Sequence, residues 1–159
     1  MRARSLFILW VATIVFSSCG PTPIAEANFQ FDENLQWKKS EPVVLKLDIR
    51  ENAEPCELYL DVRYTTVFPF DKLELHIKEI SDQGVIVPRD VTVEIKNKSG
   101  EFLGDISGDI GDIERLLDSN KQYEDHGVYT YEVSFNHPVN VLLGIMELRL
   151  RAVPKEKKS

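Results

Sequence analysis

The sequence predicts an all-β protein, an antiparallel β-sandwich of jelly-roll or immunoglobulin-like type that carries one short helix. Three observations predict it. Apolar residues recur at every second position through most of the chain, the pattern of strands with one buried and one wet face. Clusters of Asn, Asp, Ser, Gly and Pro separate these stretches at short intervals, as turns between antiparallel strands do. One stretch, between Asp109 and Asp125, instead spaces its apolar residues at helical intervals.

The chain opens with Arg2 and Arg4, then runs apolar from Leu6 to Phe16 except for Thr13. Eleven helical residues span roughly 17 Å, short of the ~30 Å hydrocarbon core of a bilayer. A basic start, a short apolar core and small residues at the end are the parts of a secretory signal. Ser17 and Ser18 stand directly before Cys19, an arrangement that resembles the bacterial lipobox. Cleavage before the cysteine would free its amino group, and the thiol would carry the lipid. We therefore expect residues 1–18 to be a lipoprotein signal peptide and Cys19 to be the lipidated residue. GPTPIAEA follows, and Pro21 and Pro23 keep it out of helix, so residues 19–27 read as an extended linker.

A single β-sandwich domain is expected over 28–153, with a basic tail over 154–159. In PVVLKLDIR, Val43, Leu45, Leu47 and Ile49 share one face. Cys56, Leu58, Leu60, Val62 and Tyr64 do so in CELYLDVRY, and Leu73, Leu75 and Ile77 in KLELHI. Val91, Val93 and Ile95 repeat the pattern, as do Tyr129, Tyr131, Val133 and Phe135. Turn residues lie at Asn52–Pro55, Ser81–Gly84, Asn97–Gly100, Asp125–Gly127 and Asn136–Pro138. Ile110, Ile113, Leu116 and Leu117 predict the short helix, with Asp109 or Asp112 as its N-cap. In VLLGIMELRL, a bulge at Gly144 would turn Leu148 and Leu150 inward.

Composition narrows the function. Removal of residues 1–18 takes away two bases and no acid, so the net charge moves from −7 to −9. Such a chain lacks the Lys and Arg excess with which nucleic-acid binders neutralise phosphate. With Cys19 lipidated, Cys56 has no partner in its own chain, and its place on an apolar face makes it a buried thiol. His76, His126 and His137 are not at metal-ligand spacing. No G-x-S-x-G elbow occurs, since GDISG at 104–108 puts its serine one place late. Neither a catalytic set, a metal site nor a cofactor is expected. The Gly- and Asp-rich string GEFLGDISGDIGD has the oxygen chemistry of a calcium loop without the EF-hand spacing. Turns and a helix N-terminus, where Asp both caps and meets the positive dipole end, are the preferred reading.

A working surface is sought in TTVFPFD, 65–71, where Pro69 stiffens the chain between Phe68 and Phe70. Arg63, Phe68 and Phe70 form the candidate partner surface. The alternative is that both rings plug the end of the sandwich while Arg63 pairs with an acid across the sheet. A glycan- or ligand-binding sandwich is the other functional class, with Tyr59 as its clearest exposed strand aromatic.

From about Phe29 to Ala152 the chain resembles the gliding-motility lipoprotein GldH family of Bacteroidetes. VRYTTVFPFDKLELHI, 62–77, is the most specific part, similar to the family's Arg-Tyr, aromatic-Pro-aromatic and Leu-x-Leu segment. Phe29-x-Phe31 with Trp37, Gly104 through Ile110, Gly127-x-Tyr129 and LLGI at 142–145 support it. The resemblance implies a non-enzymatic envelope lipoprotein whose partners are the gliding and type IX secretion machinery. The linker lacks an acid-rich export tract, which points to a periplasmic face, on the outer membrane.

Overall fold

The computed structural model describes residues 22–50, 54–81 and 84–155. The signal segment and Cys19 lie outside them, as do residues 156–159 of the basic tail. The strands in chain order are β1 (Ala25–Gln30), β2 (Gln36–Lys38), β3 (Val43–Ile49), β4 (Cys56–Thr65), β5 (Lys72–Ser81), β6 (Gly84–Glu94), β7 (Asp105–Ser107), β8 (Ile110–Lys121), β9 (Gly127–Phe135), β10 (Val141–Leu143) and β11 (Ile145–Pro154). A five-stranded sheet in the order β1-β11-β4-β8-β7 faces a four-stranded sheet in the order β3-β9-β5-β6, and β10 and β2 form a separate ribbon. All pairings are antiparallel.

The period-two faces meet as expected. Leu45, Leu47, Leu75, Ile77, Tyr131 and Val133 of one sheet pack with Leu58, Leu60, Val62, Tyr64, Leu148 and Leu150 of the other in one continuous core. A sandwich is the cheapest way to bury these stripes, because each sheet covers the apolar face of the other. Cys56 is fully buried among them as a free thiol, and desolvation pushes its pKa up.

The expected helix is absent: its residues form β8. The register to β4 slips twice, between Cys56 and Leu58 and between Leu58 and Tyr59. Tyr59 lies opposite Leu116 and Leu58 opposite Asp118, leaving Leu117 as an extra residue. A bulge of this kind spaces the core-facing Ile113 and part-buried Leu117 four apart, which imitates a helical interval. The edge of β4, unpaired without β8, outweighs the local pattern.

The first strand also starts earlier than the sequence indicates. Ala25 and Ala27 pair with Ala152 and Leu150, and the Ile24 amide donates to the Ala152 carbonyl at 2.7 Å. Three residues assigned to the linker therefore belong to the sheet. At the other end of β11, Gly144 (φ +88°) lets the chain leave the β10 ribbon and enter the five-stranded sheet; a Cβ there would lie 3.0 Å from the Phe68 amide nitrogen. The register shift falls between Ile145 and Glu147, and Leu148 and Leu150 point inward as expected.

Candidate interaction surface

The outer face of the five-stranded sheet is a lattice of charges set by register. Glu147, Arg63 and Asp112 lie side by side on β11, β4 and β8; one residue pair along, Arg149, Asp61 and Glu114 do the same. Opposite charges face each other in Glu147–Arg63, Arg63–Asp112 and Arg149–Asp61, which stabilises those pairings, whereas Asp61 and Glu114 are like charges that Arg151 bridges. Arg63 donates Nε and Nη2 to the two Asp112 oxygens at 2.8 and 3.1 Å. Asp61 accepts from Arg149 Nε at 3.0 Å and from Arg151 Nε and Nη2 at 2.6 and 2.8 Å. Arg151 also reaches Glu114. A shallow hollow lined by Asp61, Arg63, Asp112, Glu147 and Arg149 opens at the centre. Its arginines are bound by the sheet's own carboxylates. Tyr59 is drawn into the same lattice. Its hydroxyl donates to Glu57 at 2.7 Å, which pushes its pKa up to about 12, and the Arg151 guanidinium sits over its ring.

The 65–71 loop sits where β4 ends. The Thr65 amide donates to the Gly144 carbonyl at 2.8 Å, the Thr66 amide to the Asp109 carbonyl at 2.9 Å, and the Phe68 amide closes a turn onto the Thr65 carbonyl at 2.9 Å. This pinning turns Phe68 inward. At 1% exposure it is a core residue, the plug among the two roles open to it. Phe70 is part-buried and stacks on the His137 ring at 4.2 Å, and His137 in turn neighbours Phe135. The buried His137 accepts the Glu74 amide on Nε2 at 3.1 Å, and desolvation lowers its pKa. Arg63 lies on the other face of the sheet from Phe68, paired with Asp112, so the structure does not bring the three candidate residues together.

The loop's exposed apolar residue is Val67, at 71% exposure. Sequence reading passed over it because the flanking aromatics are larger. Its parity, opposite to that of Phe68 and Phe70, was the available signal. In the glycine-rich string, Asp112 is committed to Arg63, and Asp105 stands opposite it in the β7–β8 ladder. No group of three metal-binding side chains converges among the described residues. No helix among them is long and apolar enough to cross a membrane.

Residues 25–151 match the family model described as GldH lipoprotein. The chain is also 22% identical over 131 residues to the gliding motility lipoprotein GldH homolog of Christiangramia forsetii, covering 82% of this chain and 79% of that protein. The matched span begins at the first residue of β1 and stops three residues before the end of β11, so it takes in all of the sandwich but the last three residues of that strand. The chain belongs to the GldH lipoprotein family.

Proposed function

We propose that this protein is a lipid-anchored, non-enzymatic accessory of the gliding-motility and type IX secretion apparatus, held by Cys19 on the periplasmic face of the outer membrane. The observation that carries the reading is the family match over nearly all of the sandwich, joined to a signal segment that ends in Ser-Ser-Cys. The Ile24 amide is already fixed to β11. Five residue steps then separate Cys19 from the folded domain, a reach of about 17 Å at most. Such a domain stays beside its membrane and meets partners there. Tyr59 gives no support to the glycan-binding alternative, because its ring and hydroxyl are both engaged within the sheet.

The test is Cys19→Ser in cells fed a palmitate analogue. Loss of labelling together with accumulation of the unprocessed chain is expected; persistent labelling would overturn the anchor. Affinity recovery of the wild-type protein from solubilised envelope should bring down gliding or secretion components. Recovery of none of them would remove the apparatus from the proposal.

A further inference from the structure

Antiparallel pairing fixes which end of the sandwich faces the anchor. Ala25 lies opposite Ala152, and Pro154 opposite Cys56 at the start of β4. β4 then runs ten residues to Thr65, about 30 Å at strand rise. The far end is built where three segments converge on Thr65 and Thr66. Ile110 pairs directly with Thr65, the Gly144 carbonyl takes the Thr65 amide, and the Asp109 carbonyl takes the Thr66 amide. Each segment carries an exposed apolar side chain there: Val67 at 71%, Leu143 at 47% and Ile110 at 36%.

This end is rigid. The Tyr64 hydroxyl donates to the Leu103 carbonyl at 2.5 Å, and the Tyr64 ring lies so close over Gly111 that a Cβ there would fall 2.5 Å from it. A fixed apolar surface binds with little ordering cost. Its flank is acidic: Asp105 and Asp109 are exposed, and among the described residues no cation pairs with either. The Asp109 carboxylate receives only the Thr66 hydroxyl at 3.5 Å.

We infer that Val67, Ile110 and Leu143, flanked by Asp105 and Asp109, dock a segment of a partner protein whose apolar residues are interspersed with Lys or Arg. The inference rests on the anchored reading above. A membrane does not fit this end, which points away from the tether and carries the charge of anionic headgroups. A second copy would set aspartates against aspartates, and like charges across a contact are unfavourable.

The test places a benzophenone amino acid at Val67 of the full-length chain in living cells, with Val128, exposed at 43% near the tether end, as the control position. Adduct yield at 67 should exceed that at 128 by about tenfold, as expected for the centre of a contact. The cross-linked peptide should place Lys or Arg within a few residues of its apolar positions. Asp105→Lys with Asp109→Lys should lower the adduct by about tenfold without shifting the thermal midpoint. Should that pair destabilise the fold, Val67→Glu reports the same loss of partner recovery from an exposed site. An adduct with lipid, an adduct with a second copy, equal yields at the two positions, no adduct at 67, or indifference to charge reversal would each overturn the inference. Palmitate labelling of the same cells separates its failure from failure of the anchor.

Discussion

The two ends of the sandwich are closed by different chemistry. At the far end the plug is aromatic: Phe68, Phe70, Phe135 and His137 pack ring on ring. At the opposite end, where β4 starts and β11 finishes, it is polar. Glu79, 2% exposed, accepts from Lys121 Nζ at 2.5 Å across the two sheets, with Arg89 at 3.6 Å on its other oxygen. Arg89 also donates to the Leu117 carbonyl at 3.2 Å. Tyr123 and Tyr131 join hydroxyls at 3.0 Å beside them, and burial pushes both phenols up. The aromatic end gains from desolvation; the polar end must recover the desolvation of three charges through geometry. An apolar plug tolerates approximate packing, whereas a buried ion pair fixes partner and register.

That contrast predicts an order of effects. Phe68→Ala should be the most damaging change, about 4 kcal/mol, because it empties a fully enclosed site; denaturant unfolding measures it, and a loss below about 1 kcal/mol would show that the ring does not plug the end. Lys121→Met should cost about 3 kcal/mol by leaving the buried Glu79 with Arg89 alone at 3.6 Å, yet Glu79→Leu with Lys121→Met should return most of that stability. If the double variant is as unstable as the single, the polar end is held by more than its ion pair. Phe70→Ala, at a part-buried ring, should cost about 1–2 kcal/mol.

Next comes acid sensitivity at the aromatic end. The His137 pKa is lowered from 6.5, chiefly by desolvation, so the unfolded chain takes up its proton more readily than the folded one. The stability this residue contributes is complete above pH 6.5 and is lost as pH falls from 6.5 toward the depressed folded value. His137→Gln, which keeps an acceptor for the Glu74 amide, should flatten that part of a stability–pH curve. An unchanged slope would assign the sensitivity to other groups. The smallest effect belongs to Arg63→Ala. Its ion pair with Asp112 is about half exposed on both sides, and pairs in water contribute less than about 1 kcal/mol.

The same contrast explains what could be read from the sequence. The faces of β3, β4, β5 and β9 were legible because each repeats its parity over several residues. Cys56 followed from its place in that parity, and a thiol among Leu58 and Leu60 has nowhere polar to go. The polar end was hidden in plain phase: Glu79 continues the inward series of Leu73, Leu75 and Ile77, and Arg89 precedes Val91 and Val93 on the same face. Composition argues that such residues belong outside, and only their meeting with Lys121 from the opposite sheet reverses it. β2, β7 and β10 have three residues each, too few for any period to register. The helix spacing of Ile113 and Leu117 came from a bulge, which depends on β4 and so is invisible locally. At the candidate surface, size drew attention to Phe68 and Phe70, whereas solvent exposure selects Val67.

The pairing of β1 with β11 also decides how the domain carries load. A lipid at Cys19 and a partner at Val67 would pull on opposite ends of the sandwich, so tension enters along the axis of β1. The ladder between these strands joins six residue pairs from Ala25↔Ala152 to Gln30↔Glu147, and its hydrogen bonds lie across the strands. Force along the axis must therefore shear them together, instead of opening them one at a time like a zipper. The edge strand β1 would thus be loaded in the direction in which a β-ladder resists most.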